Sequence, residues 1–154
     1  MNRRHRARRL ALQALSCLDV QGTKARDLVL AFIDDSRDPP DVRRTARQML
    51  DQALADRDAC DELVVRHARH WGLDRLALVD RNILRLAVSE LLARATPHKV
   101  VISEALQLAK EFSTAESPRF INGVLDAIAK ALAVGAARPK SNSRDAGDAG
   151  DHEA

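Results

Sequence analysis

Val79-Asp80-Arg81-Asn82-Ile83-Leu84-Arg85-Leu86-Ala87-Val88-Ser89-Glu90-Leu91-Leu92 is the stretch that decides the fold. Val79, Ile83, Leu86, Ala87 and Leu91 recur at three- and four-residue steps, the spacing that lines one face of an α-helix. Leu84, Val88 and Leu92 widen that face well beyond a stripe. A helix apolar over most of its circumference must be buried, so this segment is expected at the centre of a helical core. Pro97, which lacks a donor and clashes with the preceding turn, ends it.

The same period runs outward in both directions. Ala7, Leu10, Ala11, Ala14, Leu15 and Leu18 form a first stripe closed by Gly22. A shorter apolar segment, Leu28 to Ile33, stops before Pro39-Pro40. Asp41 then reads as an N-cap for the stripe Val42, Ala46, Met49, Leu50, Ala53 and Leu54. Cys60, Leu63, Val64, His67 and Trp71 continue at helical spacing up to Gly72. Beyond the central helix come Val101, Ile102, Ala105, Leu108, Ala109 and Phe112. Ser117 as N-cap and Pro118 at the first helical position then open a last stripe of Ile121, Val124, Leu125, Ile128 and Leu132.

Asn122-Gly123 would signal a hairpin between alternating strands, but the helical period passes straight through it. A glycine inside a helix costs about 1 kcal/mol relative to alanine, which points to close packing or an approaching ligand there. No strand pattern occurs. From Gly135 the chain turns to Pro, Ser, Asn, Gly and Asp without period, the composition of a disordered segment. The expectation is therefore an all-α domain of about seven helices over 1–134, followed by a disordered acidic and Gly-rich tail over 135–154.

A chain of 154 residues with 45% hydrophobic and 31% charged residues can bury a core without disulfides or metals. Its two cysteines, Cys17 and Cys60, stand far apart, which suits a reducing compartment. No apolar run reaches bilayer length, and Gln13 and Ser16 interrupt the run after the N-terminal arginines. A cytoplasmic location without membrane attachment is expected.

Enzyme chemistry finds little support. Phosphate loop, nucleophile elbow and HExxH motif are missing from the sequence. The best metal candidates are His67 and His70 near Asp61 and Glu62, with no further ligand at suitable spacing. No catalytic residue, cofactor or metal is expected.

The net charge of +3 conceals a cluster: Arg3, Arg4, Arg6, Arg8 and Arg9 precede the first acidic residue, Asp19. On a helix Arg4 and Arg8 share a face, as do Arg6 and Arg9. With the apolar stripe starting just after them, the helix can dock by its later turns and project guanidinium groups outward from its first. Guanidinium forks match phosphate oxygens and stack on bases. The plainer alternative is a solvated charge run at a chain terminus.

The run Arg6-Ala7-Arg8-Arg9-Leu10-Ala11-Leu12-Gln13-Ala14-Leu15 resembles the opening helix of the NusB family of transcription antitermination factors. Three further blocks resemble the same family in the same order. They are Val79 to Ala87 with Glu90-Leu91-Leu92, Val101 to Ala105 with Leu108-Ala109-Lys110, and Ser117 with Phe120 to Asp126. The resemblance implies two packed three-helix subdomains. It also implies binding of boxA-type single-stranded RNA together with a small-subunit ribosomal protein, and through that complex an indirect association with RNA polymerase.

Matched by position, the RNA surface would comprise Arg3, Arg4, Arg6, Arg8 and Arg9, with Phe120 and Asn122 at the start of the last helix. Arg119 flanks a helix N-terminus suited to phosphate, and Phe120 can stack on an unpaired base, or belong to the core. Lys99 and Lys110 would extend the basic surface unless they are simply solvated. Asp80, Arg81 and Glu90 on the central helix would meet the protein partner; an internal cap or salt bridge competes for Glu90. Ser16 and Ser89 stand where the family often has Tyr, and Ser103 where it usually has Asn, which bears on RNA affinity. A module serving an RNA cytosine methyltransferase and a purely protein-binding scaffold are the other functions compatible with such a domain.

Overall fold

The computed structural model describes residues 2–68 and 72–135. Trp71 and His70 of the sequence reading, and the tail from 136, lie outside the described residues. Among those described there are seven α-helices and no strand. α1 spans Arg3–Gln21, α2 Arg26–Asp34, α3 Pro40–Ala55 and α4 Arg57–His67. α5 spans Leu78–Ala93, α6 His98–Phe112 and α7 Ser117–Ala133. α1, α2 and α3 pack on one another, while α4, α6 and α7 gather around α5.

α5 is the hub. It packs against α1, α3, α4, α6 and α7, and its Ile83, Leu84 and Val88 are fully buried. Each such side chain contributes about 1.5–3 kcal/mol by leaving water. The near-continuous apolar circumference read from the sequence is what allows one helix to face so many neighbours.

Several helix boundaries move by a residue or more. Pro39, not Asp41, is the N-cap of α3, and Pro40 occupies its first turn because its missing N–H has no partner there anyway. Asp41 sits in that first turn instead, where a carboxylate suits the positive end of the helix dipole. Glu116, not Ser117, precedes α7. α4 ends at His67, whose ring Nδ1 lies 2.9 Å from the Leu63 carbonyl oxygen one turn back. Gly22 does close α1, with φ of 83°, a conformation favourable to glycine. Asn122-Gly123 lies inside α7, but a Cβ on Gly123 would meet nothing within 4 Å, so close packing does not account for that glycine.

A polar knot ties the end of α1 to α5. The Asp19 carboxylate accepts hydrogen bonds from Arg81 Nε at 2.8 Å, Asn82 Nδ2 at 2.9 Å and Arg85 Nη1 at 3.1 Å. Arg85 also donates two bonds to Asp61 on α4, at 2.7 and 3.0 Å. Burial opposes the Asp19 charge, but the bonds from Asn82 and Arg81 and the charges of Arg85 and Arg81 hold its carboxyl below the ordinary range. No helix among the described residues is long and apolar enough to cross a membrane.

Candidate nucleic-acid interface

The basic cluster occupies the first two turns of α1, opened by Asn2, whose side chain accepts from the His5 N–H at 2.7 Å. Its residues meet different fates around the helix. Arg3 is exposed and reaches Asp41 on α3 at 2.6 Å. Arg4 is exposed. Arg6, half-buried, pairs with Asp38 at 2.7 Å. Arg9 lies 2.9 Å from Glu111 and 5.8 Å over the Phe112 ring, at the end of α6.

Arg8 points inward, contrary to the expectation of an outward guanidinium. Its Nε and Nη2 donate to Glu90 Oε2 and Oε1 at 2.9 and 2.7 Å, and Glu104 stands 3.5 Å away. Burial would lower its pKa; the bond to Glu90 and the charges of Glu90 and Glu104 outweigh that and raise it, so it stays charged. Beside it His5, also buried, places Nδ1 2.7 Å from Glu104. The His5 and Glu104 contact was missed in the sequence because nothing in the helical period couples residues so far apart.

The three partner-facing candidates on α5 are likewise engaged within the chain. Glu90 holds Arg8 and Arg81 holds Asp19. Asp80 accepts from Ser113 Oγ at 2.6 Å and from Ser117 Oγ at 2.9 Å, fixing the corner between α6 and α7. A buried carboxylate needs such donors, and Ser-rich residues 113–117 supply them.

Lys99, Lys110, Arg119 and Asn122 are exposed. Lys99 and Lys110 stand three turns apart on α6, about 16 Å along its axis. Phe120 is half-buried and borders two concavities, one of about 300 Å³ with Arg75, Asp80 and Ser117, the other beside Arg119 and Gly123. A chain of contacts links the two parts of the expected surface. Arg9 covers Phe112, the next residue Ser113 bonds Asp80, Asp80 holds Ser117, and Phe120 follows one turn on.

The remaining reactive candidates are quiet. The Cys60 thiol is pushed up by burial and by the charges of Asp56 and Asp61, which makes it a poor nucleophile. Among the described residues no group of three His, Cys, Asp or Glu side chains is placed to hold a metal ion.

An all-helical domain with an arginine-bearing helix start and an aromatic at a second helix start has the surface of a binding protein. The model of the NusB family matches residues 5–130, and the chain belongs to that family. The transcription antitermination protein NusB of Symbiobacterium thermophilum is 38% identical over 151 residues, covering 92% of this chain and 99% of its own. That of Streptomyces coelicolor is 44% identical over 130 residues, covering 81% and 91%. Among solved structures, T. maritima NusB superposes with a TM-score of 0.76 at 34% identity, over 84% of this chain and 92% of that one. A structure of antitermination factors NusB and NusE in complex with double-stranded RNA gives 0.76 at 29% identity, over 85% and 98%.

Proposed function

We propose that this protein is a transcription antitermination factor that binds boxA-type single-stranded RNA jointly with a small-subunit ribosomal protein and so reaches RNA polymerase indirectly. The observation that carries the reading is the arrangement in which Arg9 over Phe112 and, through the buried Asp80 corner, Phe120 are tied together. It combines phosphate-binding cations with a ring available for stacking, the pairing that unpaired RNA demands. Relatives of nearly equal length that bear the antitermination name support it, as does a similar fold solved with NusE and double-stranded RNA for joint binding of RNA and a protein partner. In this reading residues 1–134 form the binding domain, which acts without catalysis, in the cytoplasm. RNA meets Arg3, Arg4, Arg6, Arg9, Lys99, Lys110, Arg119, Phe120 and Asn122. Arg8 serves from inside, by fixing α1 on α5.

The test is fluorescence anisotropy of a boxA-like strand, with and without the cognate ribosomal protein. The reading expects tight binding that prefers this strand over a scrambled one, only in the ternary mixture. Equal binding of both strands in the presence of the ribosomal protein overturns it.

A further inference from the structure

A second feature lies on the other side of the α1 start, away from Phe112. Between α1, α3 and α5 is a concavity of about 230 Å³. We propose that it receives one unpaired nucleobase of the bound RNA, an inference that rests on the RNA-binding reading above. Sites for drug-sized ligands span roughly 300–1,000 Å³, so this one suits a smaller group. Met49, Leu86 and Ala93 supply apolar surface for a ring face. Gln48 and Thr96 stand at the margin with donors and acceptors for a base edge.

The charges fit the same occupant. Arg4 lies on the lining, a cation beside which a phosphate of the strand would pass. The Glu90 carboxylate forms part of the wall, with its charge answered by Arg8. A carboxylate only accepts hydrogen bonds, so this wall suits a base edge that presents an N–H donor. Arg3 is paired with Asp41 and Arg6 with Asp38, while Arg4 lines the concavity.

The experiment uses the full chain with the ribosomal protein and measures affinity for the boxA-like strand by anisotropy. Ala93→Met fills the concavity and Gln48→Ala removes an edge partner; each is expected to weaken binding about tenfold without changing its salt dependence. Phe120→Ala is the reference variant outside the concavity, and thermal melts confirm that all three fold. Ala93→Met and Gln48→Ala binding like the parent while Phe120→Ala loses affinity would overturn the inference and leave the RNA reading standing. No strand-preferring binding by the parent would remove both. Sedimentation showing a parent dimer that Ala93→Met dissociates, with RNA affinity unaltered, would assign the concavity to a second copy and also overturn it.

Discussion

Arg8 on α1 and Glu90 on α5 grip each other through two parallel hydrogen bonds, with side chains only 3% and 13% exposed. The pair joins the helix that begins the basic surface to the hub of the core. Two charges taken out of water cost several kcal/mol each before their attraction is counted, so such a pair fixes geometry more than it adds stability.

The pair predicts an asymmetry between single and double substitution. Arg8→Ala strands the Glu90 carboxylate in the interior and should cost about 3–5 kcal/mol. Replacing both members, as Arg8→Met with Glu90→Leu, should cost much less. Urea denaturation of the three proteins measures this, and equal losses in the single and double variants would contradict it.

The Asp19 knot predicts a defined acid limb of stability. The unfolded carboxyl titrates near about 3.9, and the folded one lies lower because Asn82, Arg81 and Arg85 favour its charge against burial. Between the two values the unfolded chain binds more protons, so stability falls as pH falls. The contribution is whole above the unfolded value and lost as pH drops through the folded one. Asp19→Asn should lower the urea midpoint at neutral pH and flatten its fall below about pH 4. An unchanged acid slope in the variant would show that other carboxylates govern it.

How much of this was legible in the sequence follows from what periodicity encodes. The central position of α5 was readable because apolar residues on nearly every side admit no other placement. Helix ends were less so: Pro40, Asp41 and Ser117 all favour a helix start, and which position each takes depends on the chain preceding it. The inward turn of Arg8 left a trace. It lies one turn before Ala11 and Leu12, within the apolar stripe, as Glu90 lies one turn after Leu86 and Ala87 on α5. Two charges intruding on two apolar faces suggest each other, but only packing reveals that the faces meet. The Ser113, Ser117 and Asp80 corner left no such trace, because Ser113 closes α6 and Ser117 opens α7, both outside the apolar stripes.

Arg94 offers a test of backbone conformation. It closes α5 with φ of 58°, the one left-handed non-glycine residue among those described, and its Nη2 donates to the Leu132 carbonyl at the end of α7 at 3.1 Å. The conformation costs roughly 1–2 kcal/mol for a residue with a Cβ, and the side-chain bond returns about 1 kcal/mol. Arg94→Gly removes both and should change stability little, while Arg94→Ala keeps the strain and loses the bond, lowering stability by about 1 kcal/mol. Thermal melts that rank alanine above glycine would refute this account.

The arginines of α1 should separate by the salt dependence of RNA binding. A cation that neutralises a phosphate releases a counterion, and on single strands each contributes roughly 0.7 to the slope of log affinity against log salt. Arg9 is partly exposed beside Phe112, so Arg9→Ala should weaken binding and reduce the slope by about that amount. Arg8 lies behind it, committed to Glu90, and has no access to phosphate. The paired substitution Arg8→Met with Glu90→Leu should therefore leave the slope unchanged even where it lowers stability. Salt titrations of the RNA complex, followed by anisotropy, decide the matter. A slope reduced by the Arg8 pair and untouched by Arg9→Ala would place the phosphate path on the opposite side of α1.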